Sequence, residues 1–350
     1  MLTYIHKLID KNQGSISISD FMDATLYHKQ YGYYMNKSPF GRDGDFITAP
    51  EISQLFGEII AIWVMDIWKK LGKPSKFSLV ELGPGNGTLI YDIIRVVRKY
   101  NDFFNSVSIH LVEISSLLQE IQAKKLKGLD IKWHENIDSL PKESTIILAN
   151  EFFDSLPIDQ FVYHKEEWYE IRIMKRDNGD LFKVISAIIE KKRRSYISEV
   201  LSAQSISKKL FNGAIVEICL AGIKMLKKLE KTIYSNKGAI LIIDYGYLYP
   251  NYRSTLQSLR KHKYNNFLEN IGNSDITALV NFKALRDSLK YLNCKTLTQR
   301  EFLYLFGIRE RMHTLIKNAS DEQKNQIFTQ YLRLTENMGT LFKVMIINHL

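Results

Sequence analysis

Cysteine is nearly absent from this 350-residue chain, which holds only Cys219 and Cys294. Two thiols cannot build a cysteine metal cage, and their separation does not read as a redox pair, so a reducing compartment is expected. Long apolar runs are missing too. The longest, IIAIWVM at 59–65, is bracketed by Glu58 and Asp66 and falls far short of the ~20 residues that span a bilayer. No membrane insertion is expected. The N-terminus lacks a signal-peptide core and an arginine-rich, acid-poor transit segment. MLTYIHKLIDKN instead places Leu2, Ile5, Leu8 and Ile9 on one face of a helix. The 8 histidines include no pair spaced as metal ligands, and no metal site is expected. Acid is in the minority, 38 Asp and Glu against 48 Lys and Arg, for a net charge of +10. The basic clusters KKRR (191–194), KMLKK (224–228) and RKHK (260–263) are scattered. No aromatic residues interleave with them as stacking platforms would. Solvated helix faces account for them better than a nucleic-acid partner, which stays a minority reading.

What remains is ordinary globular composition, 45% hydrophobic and 25% charged. That suits one large α/β domain with insertions or two modest domains. Residues 50–70 have helical spacing, with Thr48 as N-cap, Pro50 in the first turn and LGKP as the stop. Then come strand KFSLVEL, helix TLIYDIIRVVRKY, strand SVSIHLVEI, helix ISSLLQEIQAKKL and the short strands DIKWHEN and STIILANEFF. This alternation predicts a parallel, doubly wound sheet. After LPIDQF, the stretch EEWYEIRIMKRDNGDLFKVISAI predicts a hairpin with a DNG turn. A helical stretch, the buried strand of KGAILIIDYGY and a loop-rich region at 247–281 follow. Helix-like segments and a final strand in MGTLFKVMIINHL close the chain. The expected organisation is an N-terminal extension and lid at 1–75, then a catalytic domain at 76–350 with a β-hairpin/helix insertion at about 157–210.

ELGPGNGTL at 81–89 carries glycine at every second position, directly after a strand. Such a turn lets backbone N–H groups and a helix N-terminus approach a ligand. A dinucleotide fingerprint needs its third glycine at position 88, which is threonine. The alternation E-x-G-x-G-x-G is instead the pattern of S-adenosylmethionine-dependent methyltransferases, whose loop wraps the amino-acid end of the cofactor. Glu81, Gly83, Gly85, Asn86 and Gly87 are therefore the candidate cofactor contacts, together with Glu113, which ends SIHLVE and is placed to hold the ribose diol. NEFFDSLP (150–157) ends the fourth strand of the alternation. Ligands of α/β sheets lie beyond the carboxyl ends of strands. Asn150 there suits an amide that accepts a bond from a target nitrogen and aims its lone pair at the methyl. It counts with both the cofactor and the catalytic candidates. Glu151 and Asp154 add carboxylates for a cationic guanidinium, with turn capping the minority reading for Asp154.

The blocks GDFITAPEISQLFGE (44–58), ELGPGNGTL, ANEFFDSLPIDQF (149–161), LIIDYGY (241–247) and MGTLFKVM (338–345) together resemble the MidA family nearly end to end. Its mitochondrial members are known as complex I assembly factor 7, a protein arginine methyltransferase. The resemblance implies a Rossmann-like, seven-stranded class I methyltransferase sheet with an N-terminal helical extension. It also implies S-adenosyl-L-methionine as cofactor and arginine N-methylation of a complex I (NADH dehydrogenase) subunit. Asp45, Thr48, Pro50, Glu51 and Ser53 are expected to lid the cofactor's carboxylate side or the substrate mouth. Asp244 and Tyr245 are expected along the substrate channel. One block departs: DITALVNF (275–282) has Leu279 and Asn281 where the family has His and Asp. An RNA or small-molecule N-methyltransferase and a non-catalytic, cofactor-binding assembly factor are the rival functions, and a homodimer stays open. Without a targeting segment, a bacterial cytoplasm is favoured over a mitochondrial matrix.

Overall fold

The computed structural model describes residues 1–36, 47–188, 210–249, 251–261 and 263–350. Asp45 and the basic run at 191–194 lie outside the described residues. The chain forms two compact units: Met1–Lys37, Asp154–Leu226 and Tyr247–Leu289 in one, and Ser38–Phe153, Lys227–Gly246 and Lys290–Leu350 in the other. No helix among the described residues is long and apolar enough to cross a membrane.

The second unit is built on a mostly parallel sheet. Its strands are β1 (Phe77–Leu82), β2 (Val107–Val112), β3 (Ile131–His134), β4 (Thr145–Asn150), β5 (Gly238–Tyr247), β6 (Cys294–Thr298) and β7 (Phe342–His349). Along the sheet they run β6-β7-β5-β4-β1-β2-β3. β1 and β4 are buried at every position, as continuous apolar runs in a parallel sheet covered on both faces should be. β7 returns antiparallel to β5. One apolar cluster unites the helix Gln54–Lys70 (Ile59, Trp63), β1 (Leu79) and the helix Thr88–Val97 (Ile90, Ile93), with Phe302 and Leu334 from the tail. The reading of 50–70 as one helix needs correction. A short helix, Ala49–Ile52, ends at Ser53, whose extended backbone (φ −160°, ψ 139°) restarts the chain as Gln54–Lys70. Thr48 stands at the N-cap without a side-chain cap bond. β6 was also missed, because CKTLT has no long apolar run to separate it from the helical tail.

The first unit holds a five-stranded sheet, ordered Ile16–Ser17, Glu167–Lys175, Asp159–His164 and Ile215–Ile218, with Leu181–Ala187 also on Glu167–Lys175. The expected hairpin is present: Glu167–Lys175 pairs antiparallel with Leu181–Ala187. Gly179 turns it at φ +88°, and the Asp180 N–H donates to Asn178 Oδ1 at 3.0 Å. The loop-rich region at 247–281 contains a small sheet of Gln257–Arg260, Lys263–Asn265 and Asp275–Thr277. Asn281 caps the helix Phe282–Ser288, its Oδ1 accepting the Ala284 N–H at 3.0 Å. Aspartate would cap equally well, so the family's Asp can be exchanged here without loss of the cap.

Candidate cofactor and acceptor site

Strand order reverses between β1 and β4, which pair side by side with Leu82 opposite Ala149. At such a switch point the flanking loops diverge and leave a crevice at the carboxyl edge. Chain order alone therefore brings Gly83 and Asn150 to neighbouring places at one edge.

The glycine turn is fixed by backbone geometry. Gly83, Gly85 and Gly87 have φ of +59°, +53° and +76°, a region costly for residues with a Cβ. At Gly83 a Cβ would also sit 2.6 Å from Cδ2 of Phe152. The Gly83 N–H donates to Val112 O at 3.0 Å, and the Gly87 N–H to Pro84 O at 2.8 Å. Gln122, fully buried on the helix Ser116–Lys125, donates from Nε2 to Gly85 O at 2.8 Å and to Glu113 Oε2 at 3.2 Å. It accepts from Trp133 Nε1 at 2.9 Å. Sequence reading missed Gln122; its one signal was a lone amide on the inward face of that helix.

A cleft opens at this edge. Three segments line it: Thr48, Pro50 and Glu51; Glu81, Gly83, Gly85 and Asn86 with Pro84, Thr88 and Leu89 along the glycine turn, Gly87 excepted; and Asn150 with Glu151. Glu113 and Ser53 are not among the lining residues. Ser53 instead accepts the Leu55 N–H at 3.4 Å as N-cap of the long helix. Glu113 Oε1 accepts the Ser115 N–H at 2.9 Å. Burial pushes the Glu113 carboxyl up, opposed by that N–H and by Gln122.

Two carboxylates tie the helix Ala49–Ile52 to the turns beside it. Glu51 Oε1 accepts from the Thr88 hydroxyl, and from Asn86 Nδ2 at 3.4 Å, with Lys125 Nζ at 3.9 Å. Glu151, expected to grip a guanidinium, places Oε1 on the Ala49 N–H at 2.8 Å, at the first turn of the helix Ala49–Ile52. A carboxylate at a helix N-terminus is favourable there. Glu151 itself adopts φ +48°, with its N–H held by Ile243 O at 2.9 Å. Asp244, expected along a substrate channel, is fully buried. Its Oδ2 accepts the N–H groups of Phe152 (3.2 Å) and Phe153 (2.9 Å), and Oδ1 that of Tyr245 (3.0 Å). Tyr245 packs edge-on against Phe342 with centroids 5.5 Å apart. Asp154 belongs to the other unit, where its carbonyl accepts the Ala278 N–H at 3.0 Å and its charge raises the Tyr27 and Tyr34 hydroxyls further above their burial-driven shifts.

Two buried polar atoms in the cleft have no partner among the described residues: Glu81 Oε2 and Asn150 Oδ1. Buried polar groups are normally bonded, so both suit a polar ligand. Burial pushes the Glu81 carboxyl up to about 8; the Ile90 N–H opposes the rise and the Glu113 charge adds to it. An acceptor pair and an open glycine backbone at this edge fit the amino-acid end of S-adenosylmethionine.

Sheet order, glycine turn and cleft together define a class I methyltransferase. The chain belongs to the family of S-adenosyl-L-methionine-dependent methyltransferases called Methyltransf_28, which matches residues 59–299, and S-adenosyl-L-methionine is its cofactor. It is 34% identical to the protein arginine methyltransferase NDUFAF7, mitochondrial, of Xenopus tropicalis, covering 95% of this chain and 82% of that protein. The human protein of the same name is 31% identical, with 91% and 76% covered. Among solved structures, a COG1565 superfamily member from Burkholderia thailandensis, bound to S-adenosyl-homocysteine, superposes with a TM-score of 0.84. It shares 21% identity and covers 99% of this chain and 91% of its own. The expected bacterial cytoplasm is overturned by these relatives, since the animal proteins at 31–34% identity are named as mitochondrial.

Proposed function

We propose that this methyltransferase modifies an arginine nitrogen on a protein, a subunit of respiratory complex I (NADH dehydrogenase) taken during assembly. The names of the 31–34% identical relatives support arginine as the target. The observation that carries the site reading is Asn150 Oδ1, buried at the end of β4, lining the cleft and without a partner among the described residues. The bound cofactor supplies an electrophilic methyl on a sulfonium. Asn150 accepts an N–H of the incoming guanidinium and so orients its nitrogen. Orientation of this kind is worth several kcal/mol of barrier. Glu81 and the glycine turn hold the amino-acid end of the cofactor, and Glu113 the ribose. The helix Ala49–Ile52, clasped by Glu51 and Glu151, covers the cleft and limits water.

Labelled cofactor is incubated with the enzyme and purified complex I subunits, and with a lysate with and without ribonuclease; products are mapped by mass spectrometry. Label on a subunit arginine supports the reading. Label on lysine, loss of label with ribonuclease, or no label at all refutes it. Asn150→Ala should bind S-adenosylhomocysteine as the wild type does while methyl transfer collapses; wild-type turnover would remove Asn150 from its role.

A further inference from the structure

One buried amide touches three neighbouring strands of the sheet or the turns that leave them. Gln122, fully buried on the helix Ser116–Lys125, donates from Nε2 to Gly85 O, past the end of β1, at 2.8 Å. It donates also to Glu113 Oε2, just past β2, at 3.2 Å. Its Oε1 accepts from Trp133 Nε1 on β3 at 2.9 Å. β1, β2 and β3 lie side by side in the sheet. The amide cannot turn over, because an indole N–H only donates and a peptide carbonyl only accepts. Resting on the cofactor reading above, we propose that Gln122 is a positioning residue for the cofactor, holding the Glu113 carboxylate and the Gly85–Asn86 peptide in fixed register with each other.

The start of the same helix already holds part of Glu113. The Ser115 N–H donates to its Oε1 at 2.9 Å, and Gln119 Nε2 donates to its backbone carbonyl at 2.7 Å. Gln122 holds the other oxygen and with it the plane of the carboxylate. On the β1 side, the peptide after Gly85 is trans, so its C=O and the Asn86 N–H point in opposite directions. With Gly85 O turned onto Gln122, that N–H is turned away from the helix Ser116–Lys125. Gly85 accepts this orientation at φ +53°, a value costly for other residues. Gly85 and Asn86 line the cleft. The glycine turn holds the amino-acid end of the cofactor and Glu113 the ribose, and the sulfur joins those two ends. A fixed spacing between the two holders therefore fixes where the methyl stands relative to Asn150. A misplacement of about 1 Å can cost on the order of 100-fold in rate.

The test is calorimetric titration of the full chain with two probes, S-adenosylhomocysteine and its 2′-deoxy analogue. The wild type should prefer the first by about tenfold or more, since the analogue leaves the Glu113 carboxylate short of one bond. Gln122→Met keeps the length of the side chain and removes its hydrogen bonds. It should bind S-adenosylhomocysteine roughly tenfold more weakly, with the preference reduced to under about threefold. In the double variant with Glu113→Ala, Gln122→Met should add no more than about twofold, because the two residues act as one unit. Gln122→Glu keeps the Trp133 bond but sets an oxygen against two acceptors. It should lose binding, and regain part of it as the pH is lowered and the new carboxyl becomes a donor. Urea unfolding measures stability separately: a side chain that only fills space would lower the midpoint and leave the 2′-hydroxyl preference at its wild-type value. Should Gln122→Met not fold, Trp133→Phe, which frees the amide, supplies the same measurement. Preference retained at the wild-type value, or losses that multiply in the double variant, overturns the inference and leaves the cofactor reading standing. A wild type indifferent to the 2′-hydroxyl overturns the inference together with the ribose assignment of Glu113. Failure of S-adenosylhomocysteine to bind at all overturns the cofactor reading as well.

Discussion

Replacing Asp244 with alanine removes a buried carboxylate that holds the turn after β4. The side chain is fully buried, and its Oδ2 accepts the N–H groups of Phe152 and Phe153 at 3.2 and 2.9 Å. Alanine removes this acceptor from both amides, and the Phe153 bond is buried. A buried donor left unsatisfied costs about 1–3 kcal/mol, so the substitution should cost at least roughly that much. Against a typical folding free energy of about 5–15 kcal/mol, that is a large fraction. Asp244→Asn keeps one acceptor oxygen for the pair but turns an NH₂ toward the Tyr245 N–H, and should fall between alanine and wild type. Asp321→Ala is the control: its side chain is 95% exposed and should shift stability by no more than about 0.5 kcal/mol. Urea unfolding followed by circular dichroism measures all three. The turn also carries Glu151 at φ +48°, so methyl transfer should fall further than affinity for S-adenosylhomocysteine. An alanine variant within about 0.5 kcal/mol of wild type would show that the buried carboxylate is not what holds the turn.

Gly85→Val should abolish S-adenosylhomocysteine binding in a calorimetric titration, because a branched side chain at φ +53° is strained and fills the ligand's approach. Glu113→Ala should weaken binding about tenfold or more, the equivalent of ~1.4 kcal/mol; unaltered affinity in both variants would remove the cofactor from this turn. His110, buried on β2 with Nδ1 2.8 Å from His134 Nε2, has its imidazolium disfavoured by burial and by His134, down to about 4. Its folded value lies below the unfolded one of about 6.5, so the unfolded chain binds more protons between the two. Stability should be full above pH 6.5, fall as the pH drops toward 4, and lose no more to this group below that. Urea midpoints at pH 7 and pH 5 should therefore differ less in His110→Gln than in the wild type.

Local pattern made much of this protein legible. The alternation of β1, the helix Thr88–Val97, β2 and the helix Ser116–Lys125 follows from apolar spacing and from stops that lie within a few residues of each other. Gly83, Gly85 and Gly87 announced a turn that only glycine tolerates cheaply, and all three adopt positive φ. The place of Asn150 at the carboxyl end of a parallel strand, lining the cleft, was legible too. Pattern could not tell which partner a buried polar group finds. Asp244 meets Phe153 across 91 residues, Glu151 meets Ala49 across 102, and Gln122 meets Gly85 across 37. The first depends on β4 lying beside β5, the second on the helix Ala49–Ile52 reaching the end of β4, and the third on β1 lying beside β2. The sequence thus determined the elements and the kind of chemistry they could carry. Tertiary packing decided which carboxylates are spent on the backbone, because desolvation makes every buried charge answer to whatever the fold brings beside it.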